Sequence, residues 1–226
     1  MLRAGSSRAA TALLTVAAGA ATTLLTSWAV GRLVQREPVV RPSRKVYDYT
    51  YQHRSAAVAC RLDPITTIGG YSVIGSCTAL VGAMIAYDRR SWRPLQLLAA
   101  GALAEVYFQK ALKRLVKGSK PAPEFSIGPP GDFPSGGAAR TLITFGMIAH
   151  LLAQRWDSPA ERAVIWSAAG GLVLAQGGSR LYLGRHWPED VLGGWLFGGL
   201  ILGTLIRLDA VLAAGARSAG ARSAGA

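Results

Sequence analysis

The chemistry in this chain concentrates in three short polar clusters. The richest runs from Ser179-Arg180 through His186 to Asp190. His186 and Asp190 stand four residues apart, an interval that puts two side chains on one face of a helical backbone. A carboxylate placed so can hold one imidazole nitrogen and leave the other free to attack. Pro188, between them, suits the first turn of a helix. A second cluster gathers cations: Lys110, Lys113, Arg114, Lys117 and Lys120, followed by Pro121. Cations fixed near one another bind a phosphate and offset the charge that grows on its equatorial oxygens. The third cluster, Pro134-Ser135-Gly136-Gly137, precedes an apolar run. At the start of a helix the first backbone N–H groups lack intrahelical partners, and anions bind there.

Long uncharged runs separate these clusters. Ala9 to Gly31 carries no charge, and neither does Pro64 to Tyr87. At 1.5 Å per helical residue each can cross a hydrocarbon core of about 30 Å. Four shorter runs follow: Pro94 to Gln109 (interrupted by Glu105), Thr141 to Gln154, Ala163 to Ser179 and Val191 to Ile206. None alternates with period two, which speaks against a barrel. The expected fold is therefore an all-α polytopic membrane protein, a bundle of six transmembrane helices. Six spans put the 3–4 and 5–6 connections on one side of the membrane, and all three polar clusters fall there. Glycine inside the runs, including Gly194 and Gly198 at the GxxxG interval, lets helices approach closely in lipid.

Composition agrees. Half of the 226 residues are hydrophobic and 16% are charged, well below the usual quarter of a soluble domain. This excludes a disordered chain. Two cysteines exclude a disulfide scaffold or a zinc ribbon. Lys and Arg number 25 against 12 Asp and Glu, a formal charge of +13, which suits an anionic partner. The basic residues gather at the ends of the apolar runs rather than in a nucleic-acid stripe, so no nucleic-acid partner is expected.

Four regions are expected. Residues 1–31 form an N-terminal membrane helix; a cleaved signal peptide is the alternative. Residues 32–63 form an extramembrane loop, residues 64–208 the membrane core, and residues 209–226 a disordered Ala/Gly/Arg/Ser tail. Among the remaining candidates, His150 reads as packed within its span and His53 as a loop residue. Tyr182 and Trp187 read as interfacial anchors. Lys110, Arg114 and Lys117 read as headgroup-attracting charges, and Glu105 as paired inside the bundle.

The clusters together resemble the type 2 phosphatidic acid phosphatase superfamily, which also contains the vanadium haloperoxidases. Its signature has three parts: K-x6-R-P, P-S-G-H and S-R-x5-H-x3-D. The third part matches at every fixed position, as Ser179, Arg180, His186 and Asp190. The first matches as Lys113, Lys120 and Pro121, with lysine in place of arginine. The second matches through Pro134, Ser135 and Gly136, and then departs: the family's histidine is Gly137 here. The resemblance covers roughly residues 64 to 208.

The resemblance implies a membrane-embedded lipid phosphatase that works through a phosphohistidine, without metal or cofactor. His186 would be the nucleophile and Asp190 its orienting partner. Lys113, Lys120 and Arg180 would hold the phosphate oxygens, with Ser135 and the Gly136 amide completing the cradle. The substrate would be a lipid phosphate or a prenyl diphosphate, surrounded by membrane lipids. The alternatives are a lipid phosphotransferase and a catalytically silent lipid-binding member. The high Ala, Gly and Arg content points to a bacterial plasma membrane, and the resemblance implies a site facing outward. The missing histidine would have protonated the leaving oxygen, so Gly137 points toward substrates whose leaving group needs no proton.

Overall fold

The computed structural model of the chain describes residues 2–116 and 118–223. Lys117 and residues 224–226 therefore lie outside the described residues. Those described form helices and connections only. In order they are α1 (Leu2–Leu33), α2 (Glu37–Gln52), α3 (Ala56–Thr67), α4 (Tyr71–Asp88) and α5 (Arg93–Leu115). A single 3₁₀ turn (Pro123–Phe125) follows, then α6 (Gly136–Ala153), α7 (Pro159–Tyr182) and α8 (Pro188–Ser223). Pro stands in the first turn of α5, α7 and α8, where its missing N–H costs nothing.

Helix α6 is the centre of the bundle and packs against α5, α7 and α8. Helix α1 lies against α8, α4 against α5, and α3 against α7. Leu112, Ile143, Met147, Leu151 and Phe197 are fully buried at the heart of the core. The α6–α8 seam is set by glycine. A Cβ at Gly194 would stand 2.5 Å from the Ser135 carbonyl oxygen, and one at Gly198 would stand 2.9 Å from that of Ala139. Both positions need a bare backbone, and Gly194 brings α8 against the start of α6, beside the site.

Large apolar side chains such as Leu13, Leu25, Leu80, Met84, Val164 and Leu174 point outward, as expected of surfaces bathed in lipid. Among the described residues, four helices are long and apolar enough to cross a membrane: Ala9–Leu33, Tyr71–Asp88, Gly136–Ala153 and Pro188–Ala214. The chain is an integral membrane protein with an all-helical fold. Helices α5 and α7 have 23 and 24 residues, a sufficient length. Their charges, Arg93, Glu105, Lys110, Lys113 and Arg114 on α5 and Glu161, Arg162 and Arg180 on α7, set them apart from those four.

Three expectations about the chain need correction. Residues 32–63 are not an irregular loop: α2 and most of α3 occupy them. Helix α2 stays on because it packs on α7 and α8, burying Ser43 and Tyr47. The second apolar run does not start a span at Pro64. Helix α3 continues to Thr67, and the chain restarts as α4 at Tyr71 after Gly69-Gly70. The tail is not irregular either, since α8 continues to Ser223. Alanine is the best helix former, and buried Asp209 ties that stretch to His150, Gln154 and Arg93.

Candidate active site

The loop between α7 and α8 carries His186, and the first turn of α8 carries Asp190. His186 Nδ1 lies 3.2 Å from Asp190 Oδ2. That same oxygen accepts a 3.0 Å hydrogen bond from the Trp187 N–H. The carboxylate is thus fixed by backbone and fixes the ring in turn. His186 Nε2 faces Arg180 Nη2 at 3.1 Å, reached from the last turn of α7. His186 is 2% exposed. Burial first, then the charges of Arg180, Lys113, Arg185 and Arg140, hold its imidazole well below the usual histidine range. The ring is therefore neutral at neutral pH, the form a nucleophile requires.

The cations around this ring are only partly those expected. Arg180 and Lys113 are present, and Lys113 Nζ is engaged by Asp132 Oδ1. Lys120 is exposed, and the four cations that act most strongly on His186 do not include it. Arg140 and Arg185 are, although neither stands at a motif position. Arg140 Nε donates to the Gly69 carbonyl at 2.8 Å, and its Nη1 to Glu105 Oε1 at 3.0 Å. Its guanidinium also covers the Tyr71 ring. Only the spacing of Arg140, three residues after Gly137 on α6, could have signalled it.

The start of α6 meets the α7–α8 loop directly. The Ser135 N–H donates to the Asp190 carbonyl at 2.8 Å. Its hydroxyl is fully buried and has no protein partner, so it is available to a bound oxygen. The Gly136 N–H lies 2.9 Å from the Gln109 amide oxygen, whose NH₂ donates to Glu105. Gly136 is thus tied to a buried polar chain running Gln109, Glu105, Arg140, Gly69. Gly137 is buried against the cation: a Cβ there would stand 2.8 Å from both Arg180 Nη1 and Gln176 Nε2. Gln176 is fully buried, and its side-chain oxygen has no protein partner. Arg180 and Gln176 thus fill the space a side chain at 137 would take.

The other histidines stand elsewhere. His53 Nδ1 donates to the Tyr49 carbonyl at 2.8 Å and the ring stacks on Tyr49. His150 pairs with Asp209 at 3.1 Å and with Gln154 near the C-terminal end of α6. Trp187 is not an interfacial anchor. It is buried between the Arg44 guanidinium, 3.1 Å from its ring centre, and Tyr47. The Tyr47 hydroxyl donates to the Gly184 carbonyl, and the Tyr182 hydroxyl accepts from the Ser55 N–H at 2.8 Å. Helix α2 and the start of α3 therefore brace the loop that carries His186 from outside.

The chain is thus a membrane helix bundle that sets a buried, carboxylate-held histidine among arginines beside a helix N-terminus. Residues 91–211 match the model of the PAP2 superfamily. That is 121 of the 226 residues, and the chain belongs to this superfamily. It is 29% identical over 140 residues to phosphatidylglycerophosphatase B of Bacillus subtilis (strain 168), an alignment that takes in 59% of this chain and 66% of that protein's length. Its fold is similar to the crystal structure of the first transmembrane PAP2 type phosphatidylglycerolphosphate phosphatase from Bacillus subtilis. The TM-score is 0.74 at 22% identity, over 84% of this chain and 95% of the other.

Proposed function

We propose that this protein is a lipid phosphatase that removes a phosphate from an amphiphile held in the bilayer. The observation that carries the reading is the His186 ring, held at Nδ1 by Asp190 and presenting Nε2 beside Arg180. Nε2 attacks phosphorus, forming a P–N bond as the P–O bond to the lipid breaks, and the departing oxygen keeps the electron pair. Asp190 stabilises the ring's developing positive charge. Arg180 and Lys113 offset charge on the phosphoryl oxygens, helped by the Ser135 hydroxyl, which has no protein partner; the Gly136 amide, expected in the cradle, is already held by Gln109. Lys120 contributes from the exposed rim. Water then cleaves the P–N bond and releases inorganic phosphate. No metal or cofactor takes part in this scheme.

The related phosphatidylglycerophosphatase supports a glycerophospholipid phosphate as one substrate class. The neighbourhood of Gly137 supports a lipid diphosphate as another, because the side chains that line it, Arg180 and Gln176, include neither a histidine nor a carboxyl group to protonate a leaving alkoxide. The bundle spans the membrane six times through α1 and α4–α8, and the site faces outward from a bacterial plasma membrane. The test is phosphate release from a panel of lipid monophosphates and diphosphates by the purified protein in detergent, with His186→Asn as control. Release by the wild type, lost in the variant, is expected. Equal release by both would remove His186 from the mechanism. Transfer of label to an added alcohol would identify a phosphotransferase, and no turnover on any lipid would indicate a silent binding protein.

A further inference from the structure

A nucleophile must meet its substrate, yet His186 is 2% exposed. Residues 126–132 cover it. This stretch runs beside the nucleophile loop: the Ile127 N–H donates to the Leu183 carbonyl at 2.9 Å, and the Gly131 N–H donates to the Arg185 carbonyl at 2.7 Å. Gly131 lies directly on the imidazole, and a Cβ there would overlap Cε1 and Nε2. The atom that should attack is therefore roofed by backbone.

The roof is held weakly from within. None of residues 126–132 is buried, so no apolar anchor fastens the stretch to the core. The next residue, Phe133, is buried at 2% and gives it a fixed root. Arg185 does the holding. Its Nε donates to the Ile127 carbonyl at 2.6 Å, and its Nη2 meets Asp63 Oδ1 on α3 at 2.6 Å. Gly128, at φ +88°, sits against the same guanidinium, in a backbone conformation that side chains rarely adopt. Arg185 is one of the cations whose charge acts on His186.

We propose that residues 126–132 form a lid, latched over His186 by Arg185 between Asp63 and the Ile127 carbonyl, which must lift before a substrate phosphate reaches Nε2. The proposal rests on the reading of His186 as the nucleophile. When the lid lifts, Arg185 exchanges the Ile127 carbonyl and Asp63 for the phosphate and becomes a positioning residue for it. The latch thus favours anionic substrates: only a group that satisfies Arg185 replaces what opening removes. The half-exposed Asp63 makes the ion pair a modest restraint, compatible with repeated opening.

The test is the rate at which diethyl pyrocarbonate modifies each histidine of the full-length protein in detergent, read by mass spectrometry. The reagent attacks neutral imidazole, and His186 is held neutral, so slow labelling there reports access. His186 should react about tenfold or more slowly than exposed His53. Asp63→Ala should accelerate His186 about two- to fivefold and leave His53 unchanged. Arg185→Gln should also accelerate labelling, yet lower kcat/KM, the opposite sign to Asp63→Ala; a structural role alone would not split the two variants. Labelling of His186 as fast as His53 in the wild type would overturn the lid, and an unchanged rate in both variants would overturn the latch. These rates need no turnover. A protein that hydrolyses no lipid would sink the proposed function and still decide the lid.

Discussion

Gly137→His is the sharpest test of how the leaving group departs. No histidine other than His186 is placed to serve as its acid. His53 is bonded to Tyr49, and His150 lies thirteen residues further along α6, about 20 Å at 1.5 Å per residue. Cleaving a lipid monoester expels an alkoxide whose conjugate acid is about as weak as water, with pKa roughly 15.7. Cleaving a diphosphate expels a phosphate monoester with a second ionisation near pKa ~6. An imidazole at position 137 would supply the proton that only the first reaction needs, an effect of about 10²–10⁴-fold. Part of the gain is lost to space. The new Cβ would stand 2.8 Å from Arg180 Nη1 and from Gln176 Nε2. Both are ends of flexible side chains that can move, but moving Arg180 weakens a phosphate contact, at a cost of about tenfold. The net expectation is a gain of about 10- to 10³-fold in kcat for a prenyl monophosphate. The matching prenyl diphosphate should show no gain. The assay is phosphate release from the two lipids with one tail and one detergent, for wild type and variant. A wild type that prefers the monophosphate would refute the reasoning, and so would a folded variant that gains equally on both lipids.

Asp190→Asn should lower the rate about 10²–10⁴-fold while leaving some activity, because His186 stays in place with a poorer orienting partner; wild-type turnover would remove Asp190 from the site. Burial and cations hold His186 below the usual histidine range, so the protonation that disables it comes late on acidification. The acid limb of kcat/KM should therefore lie below pH ~6.5, and a limb at or above that value would contradict the electrostatic picture. Glu105→Ala leaves Arg140 without its partner in a pair whose side chains are 0% and 11% exposed, a loss of about 3–5 kcal/mol. A lowered unfolding temperature in detergent is the readout, with Glu105→Gln expected to lose less.

The parts of this protein visible in one dimension are those governed by neighbours in the chain. Uncharged runs announce membrane helices because lipid excludes charge over a fixed thickness. His186 and Asp190, four residues apart, do meet, although His186 lies in the loop before Pro188 starts α8 and not on the helix that the spacing presumed. Ser135 likewise stands where a helix must start. What the chain order does not carry is how charges meet from separate helices. Arg140 and Glu105 are 35 residues apart, and Arg185 and Asp63 are 122 apart. Only the packing of α3, α5, α6 and α7 brings each pair together and turns unremarked residues into the setting of the site. The same packing leaves Lys120 at the rim despite its motif position, and it hides Trp187 under Arg44. It also lays Gly131 over the imidazole. Residue type and spacing specify which groups can react, but access and field are sums over neighbours distant in sequence, and those are decided only when the helices close.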